Sequence, residues 1–157
     1  MDIQLRDYQS DAIESLRHGI RQGIKNQVLA APTGAGKTVL AAYLVDECYK
    51  KGKKAIFIAD RIALINQTSK IFDQYGIPHG VMQAQHWRYR PYENIQIASA
   101  QTLARRKFPE TDLIIVDECH SLMKVVLNRI EKRDCVTIGL SATPFTKGLG
   151  KYYDAVK

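Results

Sequence analysis

Cysteine is scarce in this sequence, and long apolar runs are missing. Its three cysteines, Cys48, Cys119 and Cys135, form no Cys-x-x-Cys pair, so neither a disulfide framework nor a zinc site is predicted. No apolar run approaches the roughly 20 residues that a membrane-spanning helix needs, and residues 1–4 lack the basic-then-apolar pattern of a signal peptide. We therefore expect a soluble protein in a reducing, cytoplasmic setting, with no membrane partner.

Acidic residues are fewer than basic ones. The 157 residues include 23 lysines and arginines against 16 aspartates and glutamates, which gives a formal net charge of +7. Such an excess is typical of proteins that bind phosphate backbones, although many basic proteins bind no nucleic acid. With 45% hydrophobic and 25% charged residues, the chain has the composition of one globular domain and not of a disordered or fibrous protein.

Short apolar runs alternate with helical patterns along the chain. The runs are almost continuously apolar, as strands that are covered on both faces must be. They predict strands at residues 28–31, 55–59, 95–98, 113–116 and 136–140, and the patterns between them predict helices at 38–49 and 62–72. An amphipathic helix, with Ala12, Ile13, Leu16 and Ile20 on one side, precedes the first strand. This alternation predicts an α/β fold with a mostly parallel sheet and helices on both faces.

Residues 31–38, Ala-Pro-Thr-Gly-Ala-Gly-Lys-Thr, follow the first predicted strand and begin a helix. They match a phosphate-binding loop except at the first position, where the strict template has glycine and this chain has alanine. Gly34 and Gly36 allow backbone N–H groups to point at phosphate oxygens, while Lys37 would contact the β- and γ-phosphates of ATP and Thr38 would ligate Mg²⁺. The alternative is a glycine-rich turn with an exposed lysine. The residues expected at the nucleotide are Pro32, Thr33, Gly34, Ala35, Gly36, Lys37 and Thr38.

Two carboxylates, Asp117 and Glu118, follow a buried apolar strand. The carboxyl edge of a doubly wound sheet is where ligands bind. Asp117 would hold Mg²⁺, partly through water, and Glu118 would act as general base toward the attacking water, with Lys37 as the third catalytic residue. Taken alone, such a pair is often a solvated strand end. Together with the phosphate-binding loop, it predicts a site for nucleotide hydrolysis.

Five polar clusters of the chain each come immediately after a predicted strand. The clusters are residues 34–38, 60–61, 99–102, 117–120 and 141–143. In a parallel sheet all five would lie at one edge, because parallel strands have their carboxyl ends on the same side. A ligand site is therefore expected along that edge.

Three of these segments, in this order, resemble motifs of superfamily 2 helicases. They are Ala-Pro-Thr-Gly-Ala-Gly-Lys-Thr, Asp-Glu-Cys-His and Ser-Ala-Thr-Pro, and Leu-Arg-Asp-Tyr-Gln at residues 5–9 precedes them. The similarity extends from Leu5 to Phe145 and is closest to the DExH branch that includes the motor subunit of type III restriction enzymes and related DNA-repair helicases. It implies a RecA-like domain of the P-loop NTPase fold at residues 1–147, with 148–157 as a loop or the beginning of a linker to a second domain.

The resemblance also implies roles for individual residues. Gln9, with Arg6 beside it, would read the adenine of ATP, while His120, Ser141 and Thr143 would couple the state of the phosphates to movement. In the family's sheet, the last predicted strand lies between the phosphate-loop strand and the strand that carries the paired carboxylates. The coupling residues would therefore lie close to the γ-phosphate.

Residues 58–67 and 99–103 resemble the helicase motifs that contact nucleic acid. The resemblance implies that Arg61 and Thr102 meet backbone phosphates, with Gln67 and Ser99 in the same motifs. Hydroxyls and helix N-termini contact phosphates without reading the base sequence, which suits a protein that moves along any sequence. Without the family, Arg61 would be interpreted as a solvated side chain at a helix start.

Two basic segments have no firm assignment. Residues 86–92, His-Trp-Arg-Tyr-Arg-Pro-Tyr, interleave aromatics with arginines. This pattern suits stacking on bases and holding phosphates, or a surface loop whose aromatics pack on the domain. Arg105, Arg106 and Lys107 form a basic run that either contacts a duplex or is simply solvated.

The sequence therefore predicts the ATP-binding lobe of a nucleic-acid-dependent helicase or translocase, with DNA favoured over RNA by analogy. A second RecA-like lobe, in the full-length protein or in trans, would supply arginine fingers, so this lobe alone should be weakly active. The alternatives are an RNA helicase lobe, a non-catalytic nucleotide-sensing or protein-docking module, and a small-molecule kinase. Against the kinase stand Ser-Ala-Thr at 141–143 and the absence of a lid-like arginine-rich insertion in the sequence.

Overall fold

The structure is a computed structural model that describes residues 3–30, 35–83, 86, 88–106, 108–117, 135–141 and 155–156. Within these ranges the chain forms seven strands and four helices. Their bounds are α1 (Asp7–Arg21), β1 (Asn26–Ala30), α2 (Ala35–Lys50), β2 (Ala55–Ala59), α3 (Ile62–Gln74), β3 (Gly80–Met82), β4 (Ile95–Ser99), α4 (Ala100–Leu103), β5 (Leu113–Asp117), β6 (Val136–Ser141) and β7 (Ala155–Val156). No helix in the described ranges is long and apolar enough to span a membrane.

The described strands form one sheet in the order β3-β4-β2-β5-β6-β1-β7. All of their pairings are parallel, which confirms the predicted fold class. Strand β6 lies between β1 and β5, as the resemblance to helicases implies. From the neighbouring strands β2 and β5 the chain continues toward opposite edges of the sheet, to β3 and to β6 respectively. Such a point opens a crevice at the carboxyl ends of parallel strands.

Both faces of the sheet are covered, which explains why its strands are apolar on both sides. Successive side chains of a strand point to opposite faces, and Phe57 of β2 accordingly packs in one core cluster while Ile58 packs in the other. The larger cluster holds the apolar sides of α1, α2 and α3. The smaller cluster, on the opposite face, holds Ala100 and Leu103 of α4. Helices therefore lie on both faces, as predicted.

Three helices end in the same way. Gly23, Gly52 and Gly76 follow α1, α2 and α3 with positive φ angles, a backbone conformation that costs glycine little because it has no Cβ. In each case the next N–H bonds back to a carbonyl of the last helical turn, for example from Ile77 to Phe72 at 2.9 Å. These turns lead the chain back toward the amino edge of the sheet, where the next strand begins.

Two edge strands and one short helix were not predicted. Strand β3 has three residues and β7 has two, which is too short for a periodic pattern to be recognised. Strand β7 pairs with β1 through Gln27 and Val28, so Ala155 and Val156 lie in the sheet and not in the loop expected for 148–157. Helix α4 directly follows β4, where the sequence indicates only a polar cluster.

Candidate nucleotide site and nucleic-acid interface

The carboxyl ends of five strands form a common edge. Ala30 at the end of β1 is in register with Ser141 at the end of β6, and Asp117 at the end of β5 is in register with Leu140. On the other side of β5, Ala59 at the end of β2 is in register with Ser99 at the end of β4. The described members of the predicted polar clusters therefore lie along one edge of the sheet.

Lys37 and Asp117 form a buried ion pair at this edge. Lys37 Nζ lies 3.3 Å from Asp117 Oδ1, and the two side chains are only 8% and 6% exposed. The residues are 80 positions apart in the sequence, so the contact depends on strand β5 ending beside the first turn of α2. Charged groups this far from water are stable only when an opposite charge and hydrogen bonds compensate them. A site with this charge arrangement favours an anion at the lysine and a cation at the carboxylate.

The donor set at this point fits a magnesium ion. Mg²⁺ prefers hard oxygen ligands, and this edge offers the carboxylate of Asp117 and, one residue after Lys37, the buried hydroxyl of Thr38. The ammonium of Lys37 already places a positive charge against the carboxylate. Asp117 and Thr38 are therefore the described residues that could hold the ion.

The amino end of α1 is attached to the beginning of α2 through Gln9. Its side chain is 3% exposed; Oε1 accepts a 2.8 Å hydrogen bond from the backbone N–H of Arg6, and Nε2 donates to the carbonyl of Gly36 at 3.3 Å. Tyr8 also lies against this turn, since a Cβ added at Gly36 would be 3.0 Å from its hydroxyl. Gln9 is thus hydrogen-bonded to Gly36, the residue before Lys37. Arg6 is exposed at the start of the helix.

The other predicted nucleotide and coupling residues are placed as follows. Ala35 is the first residue of α2, and Ser141 is the buried last residue of β6. Six lie outside the described residues, namely Pro32, Thr33, Gly34, Glu118, His120 and Thr143. Glu118 directly follows Asp117 in the sequence.

A second group of predicted residues lines a cavity of about 630 Å³ beyond β2. We call it the arginine cavity and define it by Asp60, Arg61, Ile62, Ser99, Thr102, Arg105 and Arg106. Ser99 Oγ accepts from the N–H of Thr102 at 3.0 Å and lies 2.8 Å from its hydroxyl, so the start of α4 holds both hydroxyls in place.

The structure brings Arg61, Ser99 and Thr102 together, but it does not bring Gln67 to them. Gln67 is exposed on α3 and does not line the arginine cavity. Arg105 and Arg106 also line the arginine cavity. The sequence alone left open whether this basic run contacts a duplex or is simply solvated. Sequence analysis missed Ile62, an apolar side chain that is 65% exposed beside Arg61. Its position at a helix start gave no signal, because apolar residues in helices are normally interpreted as core.

A parallel sheet in this strand order, with the buried lysine and carboxylate at its carboxyl edge, defines a RecA-like ATP-binding domain of the superfamily 2 helicase class. The chain belongs to the family of the type III restriction enzyme, res subunit, whose family model matches residues 2–146.

Individual relatives agree with this assignment. The chain is 30% identical over 159 residues to the type I restriction enzyme EcoAI endonuclease subunit of Escherichia coli, covering 88% of this chain and 19% of that protein. It is 28% identical over 188 residues to the ATP-dependent RNA helicase DHX58 of Mus musculus, covering 98% and 27%. The chain thus spans about a fifth to a quarter of the length of these relatives.

The fold is also similar to that of a solved helicase. The crystal structure of the UvsW helicase from bacteriophage T4 matches with a TM-score of 0.79 at 20% sequence identity, over 99% of this chain and 60% of that one. At this level of identity the likeness concerns the fold.

Proposed function

We propose that this chain is the ATP-binding lobe of a nucleic-acid-dependent ATPase, a helicase or translocase that acts on DNA. The observation that carries the proposal is the buried pair of Lys37 and Asp117 at the carboxyl edge of the sheet. A structural ion pair is an inefficient way to stabilise a core, since desolvation of both charges offsets most of their attraction. Both buried charges have a functional reason when Lys37 binds phosphate and Asp117 binds a cation.

In this proposal each residue of the edge has a separate task. Lys37 binds the β- and γ-phosphate oxygens as a point charge, and the first N–H groups of α2 donate to the phosphates because helix N-termini attract anions. Thr38 and Asp117 would hold Mg²⁺, which when bound neutralises charge on the phosphates. Glu118 is proposed to accept a proton from the attacking water. Gln9 and Arg6 are proposed at the adenine.

Coupling of ATP to movement is proposed for the end of β6. Ser141 lies in register with Ala30, the last described residue before the phosphate-binding loop. The backbone of Ser141 is therefore one strand spacing, about 4.8 Å, from the backbone that leads into the loop. A change at the phosphates can displace this strand end, and we assign the same role to Thr143 and His120 from the family motifs.

The arginine cavity is proposed as the contact to nucleic acid. Arg61, Thr102 and Ser99 offer a cation and hydroxyls, which are the groups that bind phosphates without reading bases. Gln67 is proposed as a separate contact, outside the cavity on α3. DNA is favoured because the matching family is that of a restriction enzyme subunit. The relative named as an RNA helicase keeps RNA as the second candidate substrate, and a second RecA-like lobe is the proposed protein partner.

The nucleotide site is tested by replacing its lysine. In Lys37→Ala we expect ATP affinity to fall at least about tenfold, because a charge-assisted contact to phosphate is lost. Isothermal calorimetry with ATP and Mg²⁺ measures it, and circular dichroism checks that the variant folds, since removing one member of a buried ion pair also destabilises the domain. Lys50→Ala, at the exposed end of the same helix, is the matched control.

Unchanged ATP affinity in Lys37→Ala would remove the phosphate-binding loop from the proposal. A folded chain that binds ATP but never turns it over, even with a second lobe and nucleic acid present, would instead favour a nucleotide-sensing module.

A further inference from the structure

A second cavity lies beside the arginine cavity and shares Arg106 with it. We call it the tyrosine cavity and define it by Lys54, Tyr89, Tyr92, Glu93, Arg106 and Glu110. It also has a volume of about 630 Å³, which is within the range of small-ligand sites. Lys54 and Ala55 place it at the start of β2, whereas Asp60 and Arg61 place the arginine cavity at the end. These two ends of β2 are about 16 Å apart, since the strand has five residues, and Arg106 lines both cavities.

The two cavities differ in charge. The arginine cavity has three arginines against one aspartate among the described residues that line it. In the tyrosine cavity Lys54 and Arg106 are matched by Glu93 and Glu110. The first therefore attracts phosphates, while the second is charge-balanced and offers carboxylates and amides. Groups of this kind accept hydrogen bonds from the amino groups of bases.

The tyrosines are held outward by a braced loop. Arg88 makes two hydrogen bonds to Asp73 at 2.6 and 2.8 Å, and its carbonyl accepts from the N–H of Val81. Gln96 Nε2 donates to the carbonyls of Arg90 and Glu93 at 2.8 and 3.0 Å. The side chain of Arg88 thus packs on the domain.

The tyrosines of the segment stay accessible, with Tyr89 53% and Tyr92 75% exposed. The guanidinium of Arg106 lies 5.2 Å from the centre of the Tyr89 ring, an arrangement that orders a ring without covering its other face. Rigid, exposed aromatics beside a basic surface are the usual platform for unpaired bases. Trp87, between them and His86, lies outside the described residues.

We propose that the tyrosine cavity binds an unpaired base of a single-stranded nucleic acid whose phosphates occupy the arginine cavity, with Tyr89 and Tyr92 as the stacking surface. This inference rests on the nucleic-acid part of the proposed function. Phosphate contacts alone would bind a strand with or without bases, whereas the tyrosine cavity favours a strand that carries bases. An acidic peptide is the less suitable occupant, because Glu93 and Glu110 would repel it.

The test compares two single strands of about 12 nucleotides, one of deoxycytidines, whose bases carry an amino group, and one with abasic sites at every position. Both carry the same phosphates, so only the bases differ. Fluorescence anisotropy with the 157-residue chain should show that the base-bearing strand binds at least about fivefold more tightly. Tyr92→Ala and the double variant Tyr89→Ala/Tyr92→Ala should reduce this ratio, to about one in the double variant, while Tyr92→Phe should keep it.

Two controls separate this inference from the proposed function. Arg61→Ala should weaken both strands by the same factor, and Tyr49→Ala, which removes an exposed tyrosine of α2, should change neither. Equal binding of both strands by the wild type, or a ratio that survives the double variant, overturns the base site and leaves backbone binding intact. No binding of either strand overturns both, whereas ATP binding through Lys37 is measured independently.

Discussion

At the residue scale, His79 shows how the loop that carries the tyrosines is attached. The imidazole is fully buried; Nδ1 lies 2.8 Å from the carbonyl of Ile77, and Nε2 lies 2.7 Å from Ser69 Oγ and 3.3 Å from Arg88 Nη1. A carbonyl can only accept, so the neutral ring donates through Nδ1 and accepts at Nε2. Burial lowers the pKa of His79, and the positive charges of Arg88 and Arg90 lower it further.

This lowered pKa predicts a loss of stability in mild acid. The unfolded histidine titrates near pH 6.5, so the unfolded state takes up a proton first as the pH falls. The stability contributed by neutral His79 is therefore complete above about pH 6.5 and is lost as the pH falls from there toward the native pKa. The hydrogen bond to the carbonyl of Ile77 and the nearby carboxylate of Asp73 raise the pKa of His79, but they do not reverse its lowering. Urea unfolding at pH 8 and pH 5.5 measures the effect.

The matched variants are His79→Gln, which cannot gain this proton, and His18→Gln on the exposed side of α1. We expect His79→Gln to be less stable than the wild type at pH 8 and to lose less stability on acidification. The same loss in wild type and His79→Gln would show that the buried imidazole does not control this pH range.

At the scale of elements, strand β3 and the 88–94 loop are packed without space for a side chain between them. A Cβ added at Gly80 would lie 2.5 Å from the carbonyl oxygen of Arg90 and 2.8 Å from Gln96 Oε1. Backbone cannot move away as easily as the end of a flexible side chain. The absence of a side chain at Gly80 therefore lets the loop approach the edge of the sheet.

We expect Gly80→Ala to lower the free energy of unfolding by roughly 1–3 kcal/mol, because the added methyl group overpacks this contact. Gly36→Ala makes the same chemical change where the nearest atom, 3.0 Å away, is the hydroxyl of the exposed Tyr8. That hydroxyl can move, so this control should lose less stability in urea unfolding. Gly80→Ala with wild-type stability would mean that the loop is displaced at little cost.

At the scale of the whole molecule, one sheet carries both proposed sites. The strands β5, β6 and β1 end at the Lys37–Asp117 pair, and β2 and β4 end at the arginine cavity. Strands β2 and β5 are direct neighbours, so the two sites share a rigid, hydrogen-bonded frame. A frame of this kind can transmit a displacement from the proposed ATP site to the proposed nucleic-acid site, provided that a second RecA-like lobe moves against it.

The lobe alone is therefore expected to hydrolyse ATP slowly, with little stimulation by DNA or RNA. Arginine fingers, which the helicase resemblance assigns to a second RecA-like lobe, can raise turnover about 10³- to 10⁵-fold. Phosphate release by the purified 157-residue chain measures this, first alone and then with a second lobe added in trans. We expect DNA to stimulate the reconstituted pair more than RNA. Fast, nucleic-acid-dependent turnover by the chain alone would contradict the prediction.

Local patterns in the sequence were enough for much of the fold and for part of the site. Continuous apolar runs identify β1, β2, β4, β5 and β6 to within two residues, because strands buried on both faces have little other choice of composition. The motifs that predict a phosphate-binding loop and a carboxylate pair stand out because each consists of a few adjacent residues. Edge strands β3 and β7 were not recognisable, because they are too short to show a pattern of their own. They are strands only because β3 pairs with β4 and β7 pairs with β1.

By itself, the sequence determined the α/β class, the polar clusters at strand ends and the helicase family, since short-range periodicity and contiguous motifs specify all three. Only the tertiary structure decided which distant residues come together: Lys37 pairs with Asp117, Arg106 lies over the ring of Tyr89, and Arg61 lines one cavity with Thr102. It also decided that Arg88 braces its loop while the neighbouring tyrosines stay exposed. The physical reason is that side-chain exposure and long-range contacts depend on strand order and register, which no local pattern encodes.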